Sequence, residues 1–490
     1  MNLQEEVHQL LRKIGPGHMI NTAYDTAWIA RLSERGERIS ALALDWLRES
    51  QLPDGSWGAP QPVYAHDRVI STLAAMNALA RRSRAADRER LRHAETALEQ
   101  YIGQLHMDLC GKTIGFEMIV PTLLYEAKSL GALHRDEMHI INKLLPLRAS
   151  KMQLLPNKMI SRFVTVAFSA EMAGLDGLSL LDVEHLLESD GSVSHSPSAT
   201  AYFVLYVKRG DPTALAYLQK IAQDGGAPNV SRFDVFERGW VLFNLALTEP
   251  LDETSLNLCQ PHLDFLETEW KAGHGVCWAS GQEPPDGDDT AVTFQALQSF
   301  GRPRDLEAIM HYEMPFYFYC FPLESTPSVS ANIHILGALR MAGLAVDHPM
   351  VQKITKFLQT VETKESFWYD KWHASPYYVT AHAIIAYTGY MDAMVESATE
   401  WILKTQNADG SWGYYALPTA EETACCLQAL VIWMRQGKHV PQQVLKNGVQ
   451  WLYDHAEPPY PPLWMGKCLY CPEMVVRSAI LSALMLVDQG

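Results

Sequence analysis

The sequence predicts an all-α protein folded as two helical barrels of similar build. Three observations carry that reading: amphipathic helical spacing recurs along nearly the whole chain, strand signals are scarce, and one turn sequence occurs in both halves. Clear helical stretches are 39–47, 75–82, 423–432 and 477–484, and the breaks between helices carry Gly, Pro, Asn or Asp.

The repeated turn is Gln51-Leu52-Pro53-Asp54-Gly55-Ser56-Trp57-Gly58, which returns as Gln406-Asn407-Ala408-Asp409-Gly410-Ser411-Trp412-Gly413. A weaker echo is Glu188-Ser189-Asp190-Gly191-Ser192-Val193. Asp-Gly makes a tight turn with a positive φ available at the glycine. The tryptophan then packs back over the end of the preceding helix. These are staples that close helices, and no chemistry is expected of them.

A chain of 490 residues suggests two or three domains. Hydrophobic content of 48% with 20% charged residues is ordinary for a soluble globular protein. The formal charge of −16, from 40 basic and 56 acidic residues, argues against nucleic acid as a partner. Of eight cysteines, Cys425 and Cys426 are adjacent, and Cys468-x-x-Cys471 lacks a second pair or histidines at ligand spacing. Zinc is therefore not expected, whereas reduced cytoplasmic thiols are. The polar, acidic N-terminus does not read as a signal peptide. No apolar run reaches the ~18 residues of a membrane span, so membranes would be touched only to collect an apolar substrate.

Chemistry concentrates in Glu283-Pro284-Pro285-Asp286-Gly287-Asp288-Asp289-Thr290-Ala291. The two prolines rule out a helix start before Asp286, and the residues from Thr290 onward read as helical. Asp286 or Asp288 can cap that helix, an ordinary task for aspartate. Crowding implies more. Three like charges this close do not all ionise cheaply in a buried site, so at least one carboxyl keeps its proton well above about pH 4. A carboxylic acid protonated near neutral pH is a Brønsted acid for a weak base.

Asp286-Gly287-Asp288-Asp289-Thr290-Ala291 resembles the Asp-x-Asp-Asp motif of class II terpene cyclases. The resemblance spans essentially the whole chain and is to bacterial class II diterpene cyclases, the copalyl-, halimadienyl- (tuberculosinyl-) and kolavenyl-diphosphate synthases. It is carried by Thr22-Ala23-Tyr24-Asp25-Thr26-Ala27-Trp28, Ile114-Gly115-Phe116-Glu117, Ser194-His195-Ser196-Pro197, Gly225-Gly226-Ala227-Pro228-Asn229, Val276-Cys277-Trp278 and Asp370-Lys371-Trp372. It implies a βγ architecture: the first helix of a β domain at 1–38, an inserted γ domain at 39–228, and the rest of β at 229–490. No class I α domain is expected, because the chain has neither the length nor an Asp-Asp-x-x-Asp run for one. The product should therefore keep its diphosphate.

The resemblance also assigns roles. Asp288 is the acid that protonates the terminal alkene of geranylgeranyl diphosphate, with Asp286 and Asp289 in support. His334 resembles the polar residue that hydrogen-bonds the acid. Trp278 resembles the pocket tryptophan, with Trp368, Trp372, Tyr377 and Tyr378 as further aromatic candidates for stabilising carbocations. Lys371 and Lys151 resemble the lysines that hold the diphosphate, Mg²⁺ is expected to bridge it, and Asp108 is a candidate ligand. The plant copalyl type uses a His and an Asn to position the water that takes the last proton. Asn229 keeps the second, but Phe168 stands where the His would be. That points to a rearranged product, halimadienyl or kolavenyl diphosphate, with unrearranged copalyl diphosphate or another prenyl chain length as alternatives. A class I synthase or a phosphatase would act downstream. A helical scaffold without activity, a glycosidase using paired carboxylates and a zinc-dependent prenyltransferase are the rival readings.

Overall fold

The inner and outer helices differ in how they are buried. All sixteen residues of the helix Ala65–Ala80 are buried, whereas Gln442–Asp454 buries only Leu445, Gly448, Trp451 and Leu452. The first is enclosed by neighbours, and the second lays a single apolar stripe on the helices beneath it. This alternation of enclosed and one-faced helices builds two barrels in the computed structural model, which describes residues 2–32, 37–82, 84–134, 138–155, 157, 159–248, 250–322 and 324–488.

The helices are α1 (Leu3–Lys13), α2 (Ala23–Ile29), α3 (Glu37–Glu49), α4 (Ala65–Ala80), α5 (Arg88–Gln104), α6 (Phe116–Ser129) and α7 (Met138–Gln153). Next come α8 (Pro197–Tyr202), α9 (Pro212–Ile221), α10 (Asp234–Ala246), α11 (Glu253–Glu269), α12 (Gly287–Ser299) and α13 (Glu307–Met310). The rest are α14 (Val329–Met341), α15 (Pro349–Val361), α16 (Pro376–Tyr387), α17 (Glu396–Lys404), α18 (Ala420–Arg435), α19 (Gln442–Asp454) and α20 (Glu473–Asp488). In the larger barrel α10, α12, α14, α16, α18 and α20 each pack on the next and close a ring, with α1, α11, α15, α17 and α19 outside it. In the smaller one α2, α4, α6, the 3₁₀ segment Thr165–Ala173 and α8 close a second ring.

Each barrel has its own core. One holds Val7, Leu10 and Leu11 of α1, Ile14 and Phe168 together with residues from Val230 to Leu486, and the other runs from Ala23 to Ala227 with Cys468 added. The chain thus crosses between the barrels within 15–22 and returns within 228–229. The two crossings are stitched together by the antiparallel pair β1 (Asn21–Thr22) and β2 (Ala227–Pro228). A second pair, β3 (Trp464–Met465) and β4 (Leu469–Tyr470), drives the intervening Lys467 of the larger barrel into the smaller one.

The repeated turn proves to be a device used more often than its sequence shows. Trp57 donates its indole N–H to Leu47 O at 2.8 Å and Trp412 to Ile402 O at 2.8 Å. Gln51 and Gln406 each bond the glycine carbonyl of their own turn at 2.9 Å. The backbone N–H of Trp57 reaches Thr72 Oγ1 at 3.0 Å, and that of Trp412 reaches Thr423 Oγ1 at 3.1 Å, both threonines lying on the next inner helix. Val193 with Thr200 (2.8 Å), Trp368 with Thr380 (3.2 Å) and Val276 with Thr290 (3.0 Å) repeat that last bond. The φ values of +89° at Gly55 and +96° at Gly410 explain the glycines, since a side chain there would be strained and would strike backbone 2.7 and 2.5 Å away. Thr290 of the acidic stretch is therefore a staple residue, and the staple fixes where α12 begins.

Candidate active site

Asp286 is the N-cap of α12. Its Oδ1 accepts from the N–H groups of Asp288 at 3.1 Å and Asp289 at 2.8 Å, a pairing worth about 1 kcal/mol of helix stability. Of the two capping candidates the structure selects Asp286, which leaves Asp288 in the first turn of the helix. The Asp286 N–H is held by Val276 O at 3.0 Å and the Gly287 N–H by Cys320 O at 2.9 Å, so the turn has little freedom. Burial pushes the Asp286 carboxyl up to about 7, and the neighbouring Asp288 adds to the rise. Burial, followed by repulsion from Asp286 and Asp288, pushes Asp289 well above the ordinary carboxylate range. The expectation of a proton retained on crowded carboxylates thus has a physical basis here.

Asp288 Oδ1 meets His334 Nδ1 at 2.5 Å, and the ring's other nitrogen, Nε2, lies 2.9 Å from Nδ1 of His382 on α16. Both rings are almost fully enclosed, at 2% and 4% exposure. Trp240 presses its indole on both, with ring centroids 4.9 Å from His334 and 5.8 Å from His382. Three consecutive inner helices, α12, α14 and α16, thereby carry one line of titratable groups. His382 was not expected from the sequence. A lone histidine in the apolar run Pro376-Tyr377-Tyr378-Val379-Thr380-Ala381-His382-Ala383 looks like a core residue until α14 and α16 are packed.

Aromatic rings extend from this line in two groups. Tyr378, Trp464, Phe236, Phe233 and Tyr470 are joined through contacts of 4.2–6.1 Å that begin at Trp240. Around Phe321 stand Trp278 at 5.6 Å and Trp372 at 5.8 Å, and Phe168 lies 6.4 Å from Trp278. The indole N–H groups of Trp278 and Trp372 are buried without a protein hydrogen-bond partner among the described residues. Two of the expected aromatics sit elsewhere. Trp368 is a staple whose indole N–H bonds Leu358 O at 2.9 Å. Tyr377 stacks on Trp401 at 4.7 Å on the outer side, and its neighbour Tyr378 faces inward, 4.5 Å from His382.

Lys371 Nζ contacts Glu324 Oε2 at 2.5 Å and Thr326 O at 2.6 Å, close to Trp372. Lys151 pairs with Glu117 of the smaller barrel. Asn229 donates Nδ2–H to Asp25 Oδ2 at 2.9 Å and leaves its Oδ1 buried and unpaired among the described residues. Phe168 lies beneath Lys467, with Nζ 4.6 Å from the ring centroid.

The expectation of Mg²⁺ is corrected. Asp108 is already committed: its carboxylate accepts from the Ala65 and His66 N–H groups at 3.1 and 2.8 Å and lies 2.6 Å from His66 Nδ1. Among the described residues no group of three or more His, Cys, Asp or Glu side chains is arranged to hold a metal ion. Proton transfer from a carboxylic acid such as this site offers needs no metal, so Mg²⁺ is withdrawn as a cofactor. No helix among the described residues is long and apolar enough to cross a membrane.

Two helical barrels with buried aspartates at the mouth of one inner ring define a class II terpene cyclase. Comparison with known proteins narrows the class. Residues 309–460 match the squalene-hopene cyclase C-terminal domain family. The whole chain is 45% identical over 499 aligned residues to the type B diterpene cyclase of Mycobacterium tuberculosis (strain ATCC 25618 / H37Rv), with 99% of each chain covered. It is 31% identical over 465 residues to the ent-copalyl diphosphate synthase of Streptomyces sp. (strain KO-3988), covering 90% of this chain and 87% of that one. The solved ent-copalyl diphosphate synthase from Streptomyces platensis matches with a TM-score of 0.80 at 30% identity and 100% coverage of both chains. The chain belongs to the class II, or type B, diterpene cyclases, and it is an enzyme that cyclises a diterpene precursor.

Proposed function

We propose that the enzyme converts geranylgeranyl diphosphate to a bicyclic diterpenyl diphosphate, with Asp288 as the acid. The observation that carries this is the Asp288–His334 contact inside the inner ring. The Asp288 carboxyl gives its proton to the terminal alkene, the chain's internal double bonds close two rings, and a proton lost from carbon ends the reaction. A hydrogen bond from His334 stabilises the carboxylate left behind. Asp286 acts through the backbone by fixing the first turn of α12, and Asp289 keeps neutral polarity beside the acid. Cations formed within reach of Trp278, Trp372 and Tyr378 gain ~0.5–2 kcal/mol per aromatic face without being quenched.

Lys371 and Lys151 are proposed to hold the diphosphate, each exchanging its present carboxylate partner for the head group. Trp368 and Tyr377 are withdrawn from the cation-stabilising set on their packing. The burial of α2 in the smaller core supports placing the start of the inserted γ domain between residues 14 and 23, ahead of the boundary at 38. The eight buried, unpaired cysteines support a reducing compartment such as the cytoplasm, and a class I synthase or phosphatase would consume the product.

For the product, Phe168 favours a rearranged halimadienyl or kolavenyl skeleton, because a ring without a basic atom leaves the bicyclic cation time for hydride and methyl shifts. The whole-chain likeness to two ent-copalyl diphosphate synthases supports the second reading, an unrearranged copalyl product. The test is to incubate the purified enzyme with C15, C20 and C25 prenyl diphosphates, treat with phosphatase and identify the alcohols by mass spectrometry. The C20 substrate should be cyclised and the Asp288→Asn variant, correctly folded, should be inert. Cyclisation by that variant at a near wild-type rate would remove Asp288 from the role.

A further inference from the structure

Two adjacent glutamates in the first turn of α18 are both buried, yet they are bonded very differently. Glu422 has both oxygens occupied. Its Oε1 accepts from Ser375 Oγ at 2.5 Å and the Tyr414 N–H at 2.9 Å, and its Oε2 from Thr419 Oγ1 at 2.8 Å. Among the described residues Glu421 accepts a single side-chain bond, from the indole N–H of Trp464 to Oε1 at 2.7 Å, and its Oε2 is buried without a partner. His373 Nε2 lies 3.4 Å from the same Oε1. Glu422 thus serves as a structural carboxylate. Glu421 is not explained that way, because a glutamine would make the same bond to Trp464 without the cost of burying a charge.

Trp464 belongs to the aromatic group that begins at Trp240, with its ring 5.4 Å from Trp240, 5.1 Å from Tyr378 and 5.3 Å from Phe236. Glu421 stands on the N–H edge of that ring. Burial pushes the Tyr378 and Tyr470 hydroxyls well up, and Asp288 and Glu421 each add to both rises. Both tyrosines therefore lie within electrostatic reach of the acid and of Glu421.

We infer that Glu421 is a positioning residue whose carboxylate, held on the N–H edge of Trp464, acts through that ring to stabilise the cations formed during cyclisation. The inference rests on Asp288 being the acid that generates those cations. A carboxylate in direct contact would end the reaction, by taking a proton or by adding to the cation as an ester. Placed behind an indole, it does neither. Its charge still acts across the ring, because a buried site holds little water to screen it. Its hydrogen bond also polarises the indole and makes the ring face more negative, which strengthens the attraction for a cation. Leaving Oε2 unpaired keeps that charge from being neutralised by further donors.

The experiment is calorimetric binding of two non-reacting substrate analogues to Glu421→Gln, which keeps the bond to Trp464 and removes only the charge. One analogue carries an ammonium nitrogen in place of the carbon that first becomes cationic, and the other is its uncharged dihydro counterpart. The variant should bind the ammonium analogue at least about tenfold more weakly than wild type does, and the uncharged one within about twofold. A glutamate needed only to hold Trp464 in place would change both alike. Equal weakening of the two, or weakening of neither, would overturn the inference. In turnover of the C20 diphosphate the same variant should lose about tenfold or more in kcat at a KM within about twofold. A raised KM with kcat unchanged would also overturn it. If Glu421→Gln does not fold, Glu421→Met, uncharged and of similar length, takes its place with the same expected and overturning results. Asp288→Asn run alongside on the C20 substrate separates the two failures. Cyclisation by that variant removes Asp288 as the acid and the inference with it, whereas an inert Asp288→Asn with no selective loss in the Glu421 variant removes Glu421 alone.

Discussion

Lys467 Nζ lies 2.7 Å from Glu171 Oε1, and both side chains are fully buried at the junction of the two barrels. Lys467 belongs to the β3–β4 hairpin of the larger barrel and Glu171 to the ring of the smaller one. Ser196 and Ser198 complete the ammonium's bonds at 2.7 and 2.6 Å, and Tyr24 donates to the same Glu171 oxygen at 2.8 Å. With its bonding capacity filled, the ammonium ties the barrels together and sits over the Phe168 ring.

Removing one partner of this pair leaves the other as an uncompensated buried charge. Lys467→Ala should therefore destabilise the enzyme by about 3–5 kcal/mol. Lys467→Met combined with Glu171→Gln removes both charges and should recover most of that loss. Denaturant unfolding of the three proteins measures it, and a double variant as unstable as Lys467→Ala would show that the ion pair is not the cause.

Asp286 yields a prediction about pH. Its carboxyl titrates near 7 when folded and near 3.8 when free, so burying it costs nothing below about pH 4, where both forms are protonated. The cost grows as pH rises from about 4 to about 7 and is constant above. Three pH units at about 1.4 kcal/mol each bound it at roughly 4 kcal/mol. Asparagine caps a helix as well as aspartate does but never ionises. Asp286→Asn should therefore match wild type in Tm at pH 4 and exceed it increasingly up to about pH 7. A Tm difference that shrinks with rising pH in thermal melts would reverse the sign and refute the account.

If Lys371 holds the diphosphate as proposed, it should act on binding and hardly at all on chemistry, because the head group is remote from the reacting alkene. Lys371→Ala should raise KM about tenfold or more and leave kcat within a factor of a few, the pattern of lost uniform binding. The variant also strands Glu324, which is largely enclosed and whose pKa burial already raises. Lys371→Ala with Glu324→Gln separates the two effects, since it should regain stability but not substrate affinity. A KM unchanged in both would take Lys371 out of the diphosphate site.

What could be read from the sequence follows from how local each signal is. The staples at Trp57 and Trp412 were legible because every group they use lies within a few residues or on the next helix. Trp368 performs the same task with Ser366 at φ +63° where the turns at Trp57, Val193 and Trp412 have glycine, so its turn does not look like those and the sequence alone groups the residue with the pocket. Tyr377 and Tyr378 are adjacent, and a helix turns about 100° per residue, so only packing decides which faces inward. The acidic stretch and His334 were singled out through family resemblance, and the prolines narrowed the cap to Asp286 or Asp288, between which only the folded turn decides. His382, Trp240 and Trp464 were not, because their significance lies in contacts between helices and strands far apart along the chain.

Phe168 carries the last prediction. Its ring lies 4.6 Å below the Lys467 ammonium and 6.4 Å from Trp278, so it offers a π face to a cation and no lone pair to a proton. Asn229, which resembles the other half of the plant type's proton-removing pair, spends its amide N–H on Asp25 and keeps only a feebly basic oxygen free. A bicyclic cation above this floor would persist long enough for 1,2-shifts to compete with deprotonation. Phe168→His places an imidazole beside the buried ammonium, and repulsion between like charges would hold that imidazole neutral, as a base must be. The variant should lose the proton earlier and move the product mixture towards unrearranged copalyl diphosphate, at a kcat within about tenfold of wild type. Gas chromatography with mass spectrometry of the dephosphorylated products reads the ratio. Copalyl diphosphate as the main product of the wild type would show instead that the cation is already quenched early, and that Asn229 Oδ1 or water held there is base enough without a histidine.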